Sequence, residues 1–127
     1  MPLYTLAARE RLDQKDREQI AGAIVSAHCG ETDAPEHFVN VIIQDGVSLK
    51  GITECHISGV VRLREASDAN TRIANSLRQS ISDLLLIEPS QVAIELTDIP
   101  ATWAMEGGEI LPEPGQEDGW MKHLERA

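Results

Sequence analysis

Four features of the chain could together do acid–base chemistry on an anion: Pro2, His28, the Arg62-Leu63-Arg64 run and Glu117. Removal of Met1 would make Pro2 the first residue, carrying a secondary amine that no internal residue can supply. Model α-amino groups titrate at about 7.7–8.0, against about 10.4 for lysine, so desolvation or a nearby charge can poise such an amine for proton transfer near neutrality. With Met1 retained, the same nitrogen is an amide without a basic lone pair. A proline start would also serve simply to open a strand, fixing φ and removing one donor. Arginine presents a planar fork to a carboxylate, and strand alternation places residues i and i+2 on one face, so Arg62 and Arg64 are expected to hold a small carboxylate together. Their competing use is as surface ion pairs with Glu65 or Asp68, each worth roughly 0–1 kcal/mol. His28 is expected near a helix C-terminus, where the dipole favours an imidazolium, and could donate to a substrate carboxylate or carbonyl oxygen. Glu117 lies in a stretch from Glu106 to Asp118 that carries five acidic residues. It reads either as a solvated member of an acidic tail or, with that tail folded over the site, as a general base toward water.

Hydrophobic periodicity supplies the elements that must position these residues. Leu3 to Ala8 reads as a strand, and Asp13 can cap a helix running to about Cys29, with Ile20, Ala23, Ile24 and Ala27 on its inner stripe. Phe38 to Gln44 reads as a second strand. The order then repeats: Ile57 to Leu63 is a strand, Ser67 or Asp68 can cap a helix, and Ile73, Leu77, Ile81, Leu84 and Leu85 form its stripe. Pro89 is expected to end that helix, before Val92, Ile94 and Leu96 alternate as a final strand. The expected fold class is α+β, a duplicated β-α-β with a four-stranded mixed sheet, two helices on one face and a C-terminal tail. A single domain is expected over 1–127, with halves at about 2–45 and about 56–98, a linker at about 46–55 and a tail from about 99 that wraps over a neighbour or a site. Val39, Val41 and Ile43 alternate with Phe38 and Ile42, which predicts apolar residues on both sheet faces and coverage of the free face by other subunits.

Composition sets limits on partners. The formal charge of −10, from 21 acidic and 11 basic residues, opposes a phosphate backbone, so no nucleic-acid partner is expected. No basic leader and no long apolar run suggest a membrane, and a cytoplasmic protein is expected. Cys29 and Cys55 each adjoin a histidine, but the spacings match no zinc template, so buried thiols are expected and neither a metal nor a cofactor is. Trp103 and Trp120 read as packing anchors.

The duplicated β-α-β pattern behind Pro2 resembles the tautomerase superfamily. Ala23-Ile24-Val25-Ser26-Ala27-His28 and Leu111-Pro112-Glu113-Pro114-Gly115-Gln116-Glu117-Asp118-Gly119-Trp120 resemble segments of its cis-3-chloroacrylic acid dehalogenase group. The resemblance implies a homotrimer in which Pro2 is the catalytic amine, His28 and the arginines bind substrate, and Glu117 activates water. Two positions depart from that group. Its arginines are spaced Arg-x-x-Arg, whereas Glu65 stands where the second should fall, and its Glu-Tyr-Gly run is Glu106-Gly107-Gly108 here. The Arg-x-Arg spacing and Pro100-Ala101-Thr102-Trp103 look more like malonate semialdehyde decarboxylase, whose aspartate beside the second strand is replaced here by the region of Glu36 and His37. The expected activity is therefore proton transfer on a small 2-oxo or unsaturated carboxylate. Hydration or dehalogenation and decarboxylation of a three-carbon acid are the alternatives. A catalytically silent trimeric interaction protein is the alternative of a different class.

Overall fold

Alternation in Leu3–Ala8 turns Tyr4, Leu6 and Ala8 inward, and in the computed structural model this segment is strand β1. The structure describes residues 1–64 and 67–126, with side chains as far as residue 121. Asp13 caps helix α1 (Gln14–Thr32) in a reciprocal capping box with Asp16, satisfying two otherwise orphan amides. Strand β2 (Asn40–Gln44) returns parallel to β1. The second unit repeats this with strand β3 (Cys55–Arg62), helix α2 (Ala69–Leu85) and strand β4 (Val92–Ile99). The four strands form one mixed sheet of order β2-β1-β3-β4, with β1 and β3 antiparallel at its centre. Leu3 pairs with Asn40 and Cys55 with Val92, residues 37 apart in each half.

Helix and sheet stripes meet in a core of Tyr4, Leu6, Ile20, Ile24, Ile57, Ile73, Leu77 and Ile81, each fully buried. Burying an aliphatic side chain of this size contributes roughly 1.5–3 kcal/mol, so the stripe on α2 alone is a major source of stability. Gly59 is required at the β1–β3 seam. A Cβ there would lie 2.7 Å from the Tyr4 ring carbons and 2.9 Å from Leu96 Cδ2. Gly59→Ala is therefore expected to cost about 1–3 kcal/mol by overpacking, read as a lower urea midpoint. An unchanged midpoint would mean that the Tyr4 ring is not confined by this contact.

Several boundaries differ from the sequence reading. Helix α1 runs past Cys29 to Thr32, ending only where Asp33 adopts a left-handed φ of 59°. Phe38 belongs to a short 3-10 turn (Glu36–Phe38) before β2 begins at Asn40. Helix α2 ends at Leu86, left-handed at φ 57°, so Pro89 opens a following 3-10 turn rather than stopping the helix. Asp68 is the N-cap residue by position but makes no capping bond, and the Ser67 hydroxyl accepts from the Ala69 N–H instead. The free sheet face is also less apolar than expected. Because β2 starts at Asn40, Val41 and Ile43 turn toward the helices with Val39, and Phe38 is buried. Only Ile42 of that group faces outward, 49% exposed, beside Leu3 at 40%.

The segment after β4 has structure of its own. A 3-10 turn (Ala101–Trp103) leads to a hairpin of strands β5 (Met105–Glu106) and β6 (Glu109–Ile110), then to helix α3 (Glu117–Arg126). Trp120 anchors it, packing edge-on against Phe38 at 5.7 Å and donating its indole N–H to the Ile110 carbonyl. Trp103 does not act as a packing anchor and is 75% exposed.

Candidate active site

The β1–β3 register carries the chain start to the Arg62 end of β3, since Leu3 faces Val60 and the two strands run in opposite directions. Pro2 is buried there, its carbonyl accepting from the Asn40 N–H at 3.0 Å. Met1 precedes it, with its amine paired to Glu106. Burial, and then the positive charge of Arg62, hold that amine below its ordinary value.

Arg62 is 4% exposed although it ends a strand, because the C-terminal segment lies over it. One guanidinium nitrogen donates to the Pro112 carbonyl at 2.7 Å and another to Glu117 Oε1 at 2.5 Å. The second Glu117 oxygen accepts from the Gly115 N–H at 2.9 Å. Burial pushes the Glu117 carboxyl up, but Arg62 and the surrounding amides outweigh it and the net direction is down. Glu117 is thus neither a freely solvated tail residue nor an unengaged base.

Arg64 lies beyond the end of β3, so strand alternation does not place it beside Arg62 as expected. Its Nη1 instead folds back to the Arg62 carbonyl at 2.9 Å and meets Asn70 Oδ1 at 3.1 Å. Asn70 in turn donates to the Arg62 carbonyl and to Asp98, holding the turn after β3 against β4. The surface pairing of these arginines with Asp68 does not occur, since Asp68 pairs with Arg72. Glu65 lies outside the described residues. A cleft of about 670 Å³ opens at Arg64, between Glu31, Thr32 and Asp33 of the α1 end and Pro100 and Pro114 of the tail.

His28 is 1% exposed and sits one turn before the end of α1. Its Nδ1 is 2.7 Å from the Tyr4 hydroxyl, and its Nε2 has no partner among the described residues. Burial first, then Arg64, Arg62 and the chain amine, push His28 down to about 3. The imidazolium expected from the helix dipole is therefore replaced by a neutral ring, because desolvation and three nearby cations exceed a dipole effect of about 1 kcal/mol. All five residues singled out from the sequence thus lie at the same end of the sheet. Tyr4, Asn70, Asp98 and Glu106 were missed. Tyr4 had a signal in its place on the expected strand, two residues after Pro2, and Glu106 in the Glu106-Gly107-Gly108 run.

Cys55 is buried and its thiol is pushed up to about 12 by burial, as befits a small apolar filler, whereas Cys29 is only half-buried. No group of three or more His, Cys, Asp or Glu side chains able to hold a metal ion occurs among the described residues. No helix among them is long and apolar enough to cross a membrane.

Known proteins place this architecture. No protein-family model matches the chain, and no curated protein matches it either. Solved structures do. The chain is 25% identical to N1, a member of the cis-3-chloroacrylic acid dehalogenase family, over 98% of this chain and 96% of that one, with a TM-score of 0.83. The F6 fused 4-OT asymmetric trimer is 14% identical, with 85% of this chain and 94% of that chain covered at a TM-score of 0.76. Leishmania major MIF2 is 16% identical, with 86% and 96% covered at 0.70. The fold is that of the tautomerase superfamily. Within it, the chain resembles the cis-3-chloroacrylic acid dehalogenase family.

Proposed function

We propose that the chain, with Met1 removed and Pro2 as its amino terminus, is a cofactor-independent enzyme that moves a proton on a small 2-oxo or unsaturated carboxylate. The observation that supports this reading is the gathering of Arg62, Arg64 and the chain amine at one end of the sheet, around the buried His28 whose Nε2 has no partner among the described residues. A carboxylate would relieve the mutual repulsion of the two guanidinia. Arg64 is the anchor, because Arg62 is already engaged by Glu117 and Pro112, whereas only Nη1 of Arg64 has a partner among the described residues. His28 offers its free nitrogen to a substrate oxygen. Neutral Pro2 takes the hydroxyl proton of an enol, and the resulting ammonium returns a proton to carbon, giving the keto acid. The same Arg62 charge that lowers the Met1 amine would favour that neutral base.

Glu117 as a general base toward water belongs to the hydratase or dehalogenase alternative. Its ion pair with Arg62 and its lowered basicity favour tautomerisation over that route. Gly107, standing where the dehalogenases carry tyrosine, argues the same way. We propose a cytoplasmic homotrimer, on the precedent of the fused 4-OT trimers and with the exposed Leu3 and Ile42 corner as part of the contact.

A substrate panel tests the proposal: enol tautomers, halogenated and acetylenic three-carbon acids and malonate semialdehyde, each with and without Pro2. Turnover of the enols alone supports the tautomerase. Turnover of the halogenated or acetylenic acids selects the hydratase, and turnover of malonate semialdehyde the decarboxylase. No turnover by a chain shown by mass to lack Met1 leaves the silent scaffold. In the same assay, Arg64→Ala is expected to weaken substrate binding by about 2–5 kcal/mol, chiefly through KM. A loss under about 0.5 kcal/mol would return Arg64 to the role of a surface cation.

A further inference from the structure

Tyr4 and His28 form a buried polar pair of which the proposed chemistry uses only the His28 Nε2. We propose that Tyr4 is a positioning residue that fixes His28 as the Nε2–H tautomer, turning its free nitrogen into a hydrogen-bond donor for the substrate. The inference rests on reading His28 as a substrate-binding residue and adds how its polarity is set.

Hydrogen-bond accounting decides the direction. Tyr4 is fully buried, and among the described residues its hydroxyl has His28 Nδ1 as its only partner, at 2.7 Å. If Tyr4 donates to Nδ1, the ring proton sits on Nε2 and just one buried donor is left for the substrate to meet. If Nδ1–H donates to Tyr4 instead, the phenol proton is stranded without an acceptor and Nε2 is left as a bare lone pair. That arrangement leaves two buried polar groups unmatched rather than one, at a cost of about 1–3 kcal/mol for the additional group. The site also selects for the donor form, since an anionic substrate oxygen would be repelled by a lone pair and attracted by an N–H. Geometry keeps the pair in register. Gly59 lies opposite Tyr4 across the β1–β3 seam, and a Cβ there would come within 2.7 Å of its ring. The Tyr4 and His28 rings meet edge-on, at 71° and 5.7 Å between centroids. Strand β1 thus carries, two residues after Pro2, the group that orients its helper.

Two-bond ¹H–¹⁵N correlation spectra of the labelled protein with Met1 removed test this without reference to activity. The expected result is a protonated His28 Nε2 and an unprotonated Nδ1 in the parent protein. In Tyr4→Phe, which keeps the ring, the two nitrogen resonances should move toward each other as the tautomers mix. A proton on Nδ1 in the parent, or an unmoved pair of resonances in Tyr4→Phe, overturns the inference and leaves the reading of the site standing. The parent spectrum decides the first point even where the variant does not fold. In turnover, Tyr4→Phe is expected to lower kcat/KM by about tenfold, acting on the same constant as His28→Ala and adding nothing in the His28→Ala background. Full turnover by both single variants would overturn His28 as a substrate ligand, and with it the purpose assigned to Tyr4, whatever the tautomer.

Discussion

Pro2→Ala lowers the ketonisation of phenylenolpyruvate or 2-hydroxymuconate by at least about 10²-fold, the lower end of what a positioned acid–base group contributes. Alanine would keep an amine but lose the ring that fixes φ, so the nitrogen is no longer held in one place. The fold has little reason to suffer. The main-chain bond that Pro2 makes uses its carbonyl, accepting from Asn40, and alanine retains it. Circular dichroism and oligomeric state should therefore match the parent while turnover falls. A chain that keeps Met1 should sink to the same floor, because its Pro2 nitrogen is an amide, and intact mass on the assayed sample distinguishes the two causes. Undiminished turnover in Pro2→Ala would refute the proline as the base.

Glu117→Ala is expected to release the C-terminal segment from the sheet. Arg62 and Glu117 are 4% and 12% exposed, and removing one partner of a buried ion pair costs about 3–5 kcal/mol because the other charge is left uncompensated. That cost falls on docking of the tail rather than on the core, since Ile73, Leu77 and Ile81 pack independently of it. Hydrogen exchange should therefore rise at 111–121 while the amides of β1 and β3 stay protected. Acid should do the same to the parent protein. The docked Glu117 carboxyl is held below its ordinary value, so docking gains stability above the ordinary carboxylate range and loses it as pH falls through the docked value. Equal protection of the tail in Glu117→Ala and parent would mean that the Trp120–Phe38 contact and the Arg62–Pro112 bond hold it without the ion pair.

The sequence carried the architecture wherever one period dominated. Ile73, Leu77 and Ile81 recur at helical spacing and Tyr4, Leu6 and Ala8 at strand spacing, so β1, α2 and the repeat were legible before any coordinates. Ends set by backbone conformation were not. Leu86 in the left-handed region announces nothing in its residue type, and Pro89 drew the boundary three residues too far. The candidate site was legible as residue types but not as pairings. Arg62 and Glu117 are 55 residues apart, and no local pattern says that one will neutralise the other. His28 differs for a related reason: the dipole of its own helix is a local property, whereas the burial that chiefly keeps it neutral, with Arg64, Arg62 and the chain amine adding to it, comes from tertiary packing. Tyr4 lay within the expected strand Leu3 to Ala8, and only the packing of α1 across β1 shows what its hydroxyl meets.

The equal 37-residue offsets of the two β-α-β units describe a near-twofold chain with two comparable sheet ends and only one amino terminus. Where the first half begins, a free amine can exist. Where the second half begins, at Glu54 and Cys55, the backbone nitrogen is locked in a peptide bond, and that end is closed by an ion pair between Arg9 and Glu54. Joining the two halves in one polypeptide therefore leaves one sheet end where a free amine can exist and one where none can.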